Sequence, residues 1–524
     1  MEGAFFRTKK DIVRSKLNFL DNKIRELDAA LLFVSFVLFA LFAFYINRNI
    51  PIKALYMDDL YAWSWYAELD ISKYLTSGIT NLYRPIAWFF SYIEFALVGN
   101  SPYGFSIVNI VLNSFIALFI YYFAKKLCNN FFLAFSSGIL YLASHFSCYQ
   151  IGQVIGASES LALLFSLLFL FFTLKYYNCD IKERSNAYFC IIIIIYIIAS
   201  FTNERTIALI PVFLVALFLK NKVRISSKFI KTLMCIVTVF AVLAIRSYFT
   251  GSLLPSFTNT SKIFDTFSLE KTASSILLQA LHILGFSYGE NNIVGITFNS
   301  LDEFAKGFVI FNVLLISIIE LLYLMVALSH SYKTSIDDID KPFPRVGMDL
   351  ILLTFIVVNI AVVSLAPRLE LRHIYTSMAG FILFAVFKIS EICRLINKVS
   401  VKRIMFIIFI LWAVSRLFVD MSYRKGSKEI YFIKDQLKVN SLANETVYKY
   451  GYEKIDNSGV YIIDSSFKLS DFYATWFFRV FAPNKTVKAT KIEQIYSADL
   501  SKKKIDEKSI VLKDKDSFTF EPFK

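Results

Sequence analysis

The sequence predicts an α-helical polytopic membrane protein with about 11 transmembrane helices. Of its 524 residues, 56% are hydrophobic and 17% are aromatic, whereas only 19% are charged. Soluble domains carry about 25% charged residues, and a chain so rich in Phe and Tyr is too apolar to remain disordered. The apolar residues also form separate blocks of roughly 20 residues, the length at which a helix crosses the hydrocarbon core. Composition and blocks together exclude a cytosolic enzyme and a disordered chain.

Eleven segments have the length and apolar character of a membrane span, although two of them are short. These segments are 27–46, 104–123, 130–147, 159–176, 188–202, 206–219, 230–247, 307–328, 348–366, 376–391 and 404–420. Two further apolar segments, 86–98 and 274–286, are too short or too polar and predict interfacial helices. The predicted membrane domain is therefore 27–420, with a first outer loop at 47–103.

The distribution of Lys and Arg predicts the orientation of these spans. Residues 1–26 are basic and precede the first span without a signal-peptide cleavage site, so they are expected in the cytoplasm. Loops on that side hold more than twice as many Lys and Arg residues as the outer loops, as the positive-inside rule requires. The net charge of +15 thus reflects topology and not nucleic-acid binding. An odd number of spans places the C-terminus outside.

The tail, 421–524, differs in character from the membrane domain. It is polar and rich in Lys, and runs such as Val460–Ile463 and Ile510–Leu512 predict strands. About a hundred residues suffice for a small extracytoplasmic α/β domain. The six cysteines avoid the tail and the large outer loops, so no disulfide framework is expected, and no zinc-ligand spacing or nucleotide-binding loop is present.

Ionisable and polar residues gather on the predicted outer side, near the ends of the spans. Ionisable residues there are rare and suggest a functional site. Each alone has a simpler explanation, because acids favour helix starts and arginines at span ends reach toward headgroups. Only their combination on one face, from distant loops, raises the expectation of a site. The set comprises Asp58, Asp59, Arg84, Glu159, Glu204, Arg205, Arg368, Glu370, Arg372, His373 and Tyr375.

The chemistry of this set fits glycosyl transfer from a lipid-linked donor. A carboxylate beside a lipid-facing cavity can act as the general base toward an acceptor hydroxyl. Arginine binds phosphate oxygens bidentately and stabilises the charge that remains when the phosphate departs. Because adjacent helical residues point about 100° apart, Asp58 and Asp59 are expected to differ in role. One should face the hydroxyl, and the other should orient a helix end or an acceptor.

Several motifs, in order along residues 27–390, resemble the GT-C superfamily of polytopic glycosyltransferases. The similarity is to protein O-mannosyltransferases and to tetratricopeptide-linked transmembrane mannosyltransferases. The motifs are the acidic pair Asp58-Asp59, Arg84-Pro85, Gly99-Asn100 with Gly104-Phe105 and Asn109, Gly156 to Leu161, Asn203-Glu204 before Pro211, and Arg372-His373-Ile374-Tyr375. Three positions depart from the family pattern, where Ala157 replaces an arginine, Asn113 a histidine and Ser377 a proline.

The resemblance implies a transferase that moves one sugar from a polyprenyl-phosphate donor, such as undecaprenyl phosphate, to a glycan or protein acceptor. Its catalytic acids would be Asp58 and Asp59, with the first as the base. The donor phosphate would be held by Arg84, Arg205, Arg368, Arg372 and Tyr375, with support from Glu159, Glu204 and His373. No cofactor is expected, and a divalent metal is possible but not favoured, although Asp58, Asp59 and Glu159 could form an ion site. Residue usage suggests a bacterial inner membrane, and a eukaryotic endoplasmic-reticulum membrane stays open. The expected acceptor is a glycan such as O-antigen or another surface polysaccharide.

Two other functions stay open at this stage. The first is a flippase or transporter of a lipid-linked sugar, although transporters tend to place charges at mid-membrane on broken helices. The second is a polysaccharide polymerase or ligase, which would not need an acidic pair after the first span. A scaffold would leave the grouping of Asp58 with Arg372 unexplained.

Overall fold

The computed structural model describes residues 28–48, 52, 55, 58–76, 82–99, 101–221, 223–251, 268–289, 295–333, 345–365, 370–396, 398–426, 460–463, 492–495, 509–516 and 519–522. Helices dominate the described residues up to 426, and strands occupy the short described parts beyond it. The predicted cytoplasmic segment 1–26 and most of the predicted tail domain lie outside the described residues.

Sixteen α-helices occupy the described part of the membrane domain. They are α1 (Asp28–Asn47), α2 (Asp58–Glu68), α3 (Ile71–Thr76), α4 (Pro85–Val98), α5 (Pro102–Cys128), α6 (Phe131–Ala143), α7 (Cys148–Gly152), α8 (Gly156–Asn178), α9 (Lys182–Thr202), α10 (Ile210–Leu219), α11 (Ile225–Thr250), α12 (Leu269–Leu284), α13 (Glu303–Lys333), α14 (Val346–Val363), α15 (Leu371–Ile396) and α16 (Val399–Lys425). Short 3₁₀ helices lie at His145–Ser147, Glu204–Leu209 and Phe298–Ser300.

Eight helices in the described ranges are long and apolar enough to cross a membrane, namely α1, α5, α8, α9, α11, α13, α14 and α16. The pair formed by α6 and residues 145–152 passes the same test but is bent by 50°, and it is a ninth span if both parts belong to one. The other two predicted spans coincide with α10, of ten residues, and α15, of 26 residues. Every predicted span therefore falls on a helix, and the chain is a multi-pass helical membrane protein.

Local sequence signals explain the tight turn between α5 and α6. Ser101 caps the start of α5 by accepting a hydrogen bond from the Gly104 N–H, and Pro102 occupies its first turn, where no N–H is needed. Asn129 ends α5 in the left-handed conformation with φ of 50°. The next residue, Asn130, accepts from the Leu133 N–H at 3.0 Å and starts α6. Two consecutive asparagines thus reverse the chain.

The core of the bundle surrounds α15. This helix is buried along most of its length and packs against α5, α6, α13, α14 and α16. Its Gly380 permits close approach, because a Cβ there would lie 2.8 Å from the Phe355 ring of α14. By contrast, α11 exposes large apolar side chains such as Phe229 and Phe240, as expected for a helix that faces lipid. The buried fraction of their side chains therefore identifies α15 as an inner helix and α11 as a peripheral one.

The described part of the tail is a four-stranded sheet. Its strands are β1 (Val460–Ile463), β2 (Ile492–Ile495), β3 (Ile510–Asp516) and β4 (Thr519–Pro522), in the order β2-β1-β3-β4. The first strand pairs in parallel with β2 and β3, whereas β3 and β4 are antiparallel. The two sequence runs predicted as strands correspond to β1 and to the start of β3. Parallel pairing requires crossover connections, which lie outside the described residues.

Candidate functional site

Helix ends from distant parts of the chain meet at one end of the bundle. Arg424, near the end of α16, donates to Asn47 Oδ1 at the end of α1 over 2.9 Å and to the Ala143 carbonyl at the end of α6 over 2.7 Å. Several of the ionisable residues predicted to share one face form ion pairs in the same region. We call this region the carboxylate end, and its defining residues are Asp58, Glu159, Glu204 and Glu370.

The two acids of the pair have different surroundings. Asp59 is fully buried, and its carboxylate oxygens accept the backbone N–H groups of Val154 at 3.1 Å and Ile155 at 2.9 Å, just before α8. Burial raises the pKa of Asp59 to about 7, although those two hydrogen bonds oppose the shift. Asp58, the first residue of α2, is exposed. The two adjacent acids thus lie in different surroundings, as the helical geometry predicts. The carboxylate of Asp59 orients the start of α8.

Glu204 binds two arginines in a buried cluster. Arg84, just before α4, donates to its two oxygens at 2.8 and 2.5 Å, and Arg246 near the end of α11 donates at 3.3 Å. Burial would raise the pKa of Glu204, but the charge and hydrogen bonds of Arg84, together with the charge of Arg246, outweigh it and lower that pKa below its usual range. Arg84, which the sequence predicted as a phosphate ligand, therefore pairs with Glu204. This pair holds the loop before α4 against the end of α9.

A second ion pair lines a narrow cleft. Arg205 binds the Glu159 carboxylate in the first turn of α8, and Asn203 bridges the two by donating to Glu159 Oε1 at 3.3 Å and accepting from Arg205 Nε at 3.3 Å. His373 and Thr376 of α15 line the same cleft. The predicted residues Glu159, Arg205 and His373 are thus brought together.

Arg372 is the most accessible of the predicted arginines that the structure describes. Its Nη1 donates to the Tyr149 hydroxyl at 2.6 Å, its guanidinium lies 4.5 Å from that ring, and its Nε is 2.7 Å from Glu370 Oε2. Its side chain is 24% exposed, against 15% for Arg84, 13% for Arg205 and 5% for Arg246. Burial would lower the pKa of Arg372, but interactions with Tyr149, Glu370, Glu159 and Asp58 raise it above its usual range. The carboxylate end thus contains an exposed carboxylate, Asp58, and a partly exposed guanidinium, Arg372.

Tyr375, a predicted phosphate ligand, lies inside the bundle. It is only 1% exposed, and its hydroxyl bonds Asn113 and Tyr141. It therefore supports packing and does not reach a ligand at the surface. Arg368 lies outside the described residues.

A buried network that the sequence analysis missed supports the carboxylate end. Asp420 accepts from Arg416 Nε at 2.8 Å and contacts His145 Nδ1 at 2.7 Å, and all three side chains are at most 3% exposed. Arg424 closes the network by donating to Ser147 Oγ at 2.6 Å. The available signal was the i, i+4 spacing of Arg416 and Asp420 in an apolar helix, since such charges must be paired. This network fixes the bend after α6.

Tyr149 and Glu94 are further residues without a clear sequence signal. Tyr149, in the short helix α7, is placed over Arg372 only by the bend that follows α6. Glu94 of α4 is 3% exposed, and neither of its carboxylate oxygens has a hydrogen-bond partner among the described residues. Burial, together with the charge of Asp59, raises the pKa of Glu94 well above its usual range. Within the described ranges, no group of three His, Cys, Asp or Glu side chains is placed to hold a metal ion.

Comparison with known proteins gives limited similarity. No protein-family model matches the chain. Over 160 residues it is 26% identical to a protein O-mannosyl-transferase of Caenorhabditis elegans, and the match spans 30% of this chain and 22% of that protein. ArnT from Cupriavidus metallidurans bound to undecaprenyl phosphate is similar in structure, with a TM-score of 0.49, 11% identity, and coverage of 89% of this chain and 86% of ArnT. The structure of ArnT from the same organism in the apo state has a TM-score of 0.49 and 9% sequence identity, and the match covers 93% of each chain. The resemblance to protein O-mannosyltransferases indicated by the motifs is confirmed by the first match.

Proposed function

We propose that this chain is a GT-C-type glycosyltransferase that moves a single sugar from a polyprenyl-phosphate donor to an acceptor at the carboxylate end. The observation that carries the proposal is that Asp58 is exposed and Arg372 partly exposed at the same end of the bundle, and that the charge of Asp58 acts on Arg372. Arg84, Arg205 and Arg372 each pair with a buried carboxylate, but Arg372 is the most exposed of the three. The partial match to a protein O-mannosyl-transferase supports the same reaction class.

In the proposed reaction the acceptor oxygen attacks the anomeric carbon of the donor sugar. The bond between that carbon and the phosphate oxygen breaks, and polyprenyl phosphate leaves with the electron pair. The acceptor proton moves to the carboxylate of Asp58, which acts as general base. Arg372 binds the phosphate and stabilises its growing negative charge. A single displacement inverts the configuration of the anomeric carbon.

The remaining polar residues position these two groups. Asp59 holds the backbone before α8, and the Tyr149 ring and hydroxyl orient the guanidinium of Arg372. The pairs of Arg84 with Glu204 and of Arg205 with Glu159 fix the surrounding loops. We assign these side chains to support of the site and expect no contact with the reacting atoms.

The test is sugar transfer in membranes that contain the full chain. Undecaprenyl-phosphate hexoses, radiolabelled in the sugar, serve as donors, and label in glycan, lipid and protein is measured. Asp58→Asn keeps the shape but removes the proton acceptor, so transfer should fall by about 10²–10⁴. Asp70→Asn is the matched control, because Asp70 is an exposed acid of the same loop that contacts its near neighbour Lys73. Wild-type transfer in Asp58→Asn would contradict the proposal.

A flippase for a lipid-linked sugar is the second candidate, because α6 and residues 145–152 form a helix pair bent by 50°. Broken helices are typical of transporters, but there the break lies at mid-membrane. Here the bend lies beside Arg424 and Asn47, at the carboxylate end. A flippase would still translocate donor lipid in proteoliposomes when it carries Asp58→Asn, whereas the transferase reading predicts loss of transfer.

We also propose that the tail faces the same compartment as the site, outside the cytoplasm of a bacterial cell. The contact of Arg424 with Asn47 supports this side, because the chain enters the loop of Asp58 and the tail from neighbouring helix ends. A cysteine at the exposed Lys513, in a chain without native cysteines, should react with an impermeant thiol reagent in spheroplasts. Reaction only after lysis would place the tail and the candidate site on the cytoplasmic side.

A further inference from the structure

A cavity of about 460 Å³ lies at the end of the bundle away from Asp58. The turn between α5 and α6, the last turns of α15, the start of α16 and Arg345 before α14 line it. Asn109, near the start of α5, bonds Gln153 beside the Asp59 site, so the other end of α5 at Cys128 lies at the opposite end of the bundle. The volume is typical of a site for a small ligand.

Positive charge dominates the lining of this cavity. We call it the basic cavity, and its defining residues are Lys126, Arg345, Arg394 and Lys402. The nearby carboxylate is Glu391, which is 1% exposed and contacts Arg394 at 2.7 and 3.0 Å and Arg345 at 3.3 Å. Nearby, Lys388 contacts Asp349 at 2.9 Å and Glu320 at 3.1 Å, so this group carries one net negative charge. Five cations thus face three carboxylates, and the region of the cavity keeps a net positive charge.

The same cavity has an apolar wall that continues to the lipid-facing surface. Leu133, Ile389 and Phe406 form this wall, and the Phe406 ring lies 4.9 Å from that of Phe132. Ile407, next to Phe406 on α16, is more than half exposed. A ligand with a charged head and an apolar chain would therefore have complementary surfaces for both parts.

Cations that serve only to orient a membrane protein differ in their surroundings from those of the basic cavity. Lys182 and Arg184, in the first turn of α9, are exposed and line no described cavity. The cations of the basic cavity instead converge from three helices and from the residue before α14, and buried Glu391 fixes the Arg394 guanidinium through two contacts. This convergence distinguishes a binding site from charges spread over a loop.

We infer that the basic cavity binds the anionic phosphate headgroup of a membrane lipid, with the acyl chains along Phe406. Arginine binds phosphate oxygens through its planar fork, and basic pockets between membrane helices recognise acidic lipid headgroups. This site is separate from the carboxylate end, and the inference does not depend on the proposed reaction.

The test uses the delipidated full chain in a neutral detergent and native mass spectrometry to measure binding. Phosphatidylglycerol is the probe, with phosphatidylcholine and inorganic phosphate as the comparison ligands. The variant Lys126→Gln with Lys402→Gln removes two charges from exposed side chains, so the fold should persist. The matched control, Lys182→Gln with Arg184→Gln, removes two charges from α9.

The expected result is a loss of phosphatidylglycerol affinity of at least about tenfold in the cavity variant and no change in the control, because each basic residue near an acidic lipid contributes about one kcal/mol. Equal losses in both variants would overturn the inference, since they would indicate general charge attraction. Equal affinity for phosphatidylcholine would overturn it as well. If millimolar inorganic phosphate displaced the lipid completely, the site would take a free anion and the lipid assignment would be wrong.

Discussion

The two ends of the helical bundle bury carboxylates in different ways. At the carboxylate end, Glu204 is 4% exposed and its partner Arg84 only 15%. At the other end, Glu391 is 1% exposed, but its partners Arg345 and Arg394 are 40% and 28% exposed. Charges at the carboxylate end thus hold one another inside the protein, whereas those around the basic cavity face outward. Internal pairing builds a rigid frame around Asp58 and Arg372, and outward charge builds a surface for a ligand.

Removing one buried carboxylate from each end tests this contrast and has the largest expected effect. Glu204→Gln leaves Arg84 and Arg246 buried without their counter-ion, and breaking such a buried pair typically costs about 3–5 kcal/mol. Glu391→Gln should cost clearly less, because water can solvate its partner arginines. Thermal unfolding of both variants in detergent measures the difference. Equal losses would mean that exposure of the arginines does not distinguish the two ends.

Replacement of Arg372 tests whether this residue binds the donor, in contrast to the buried ion pairs that support the fold. Arg372→Ala removes a charge-assisted contact to the donor phosphate, so donor affinity should fall by about 10–100-fold. Arg372→Lys should restore only part of that affinity, because an ammonium does not reproduce the guanidinium fork. Arg205→Ala and Arg372→Ala should both lower stability, since each leaves a buried carboxylate without its partner, but Arg205→Ala should leave donor affinity nearly unchanged. Unchanged donor affinity in Arg372→Ala would remove Arg372 from the site.

Asp59 predicts an effect on stability that depends on pH. Its pKa is raised from 3.8 to about 7, so between those values the folded protein keeps a proton that the unfolded chain has lost. The stabilising contribution is complete below about pH 4, and it falls as the pH rises toward 7 by at most about 1.4 kcal/mol per pH unit. Asp59→Asn carries no titrating proton, so its unfolding free energy should vary less with pH. Identical pH profiles for both proteins would contradict the buried, proton-binding state of Asp59.

Much of the fold follows from local sequence, and much of the site does not. Apolar blocks predict every span, and the 100° rotation between neighbours predicts that Asp58 and Asp59 diverge. The pairing of Arg84 with Glu204 joins residues 120 positions apart, and sequence spacing carries no information about such a contact. Tyr375 follows Arg372 within one turn, but the rotation of α15 points it into the core. Tyr149 reaches Arg372 only because the chain bends after α6.

A structure of the full chain with bound undecaprenyl phosphate tests the central claim most directly. The account predicts that the phosphate lies at the carboxylate end, within hydrogen-bond distance of the Arg372 guanidinium, and that Asp58 faces the side from which an acceptor would approach. It also predicts that Arg84 stays paired with Glu204 and Arg205 with Glu159, as they are without the ligand. A phosphate bound in the basic cavity or at mid-membrane, away from Arg372, would contradict the account.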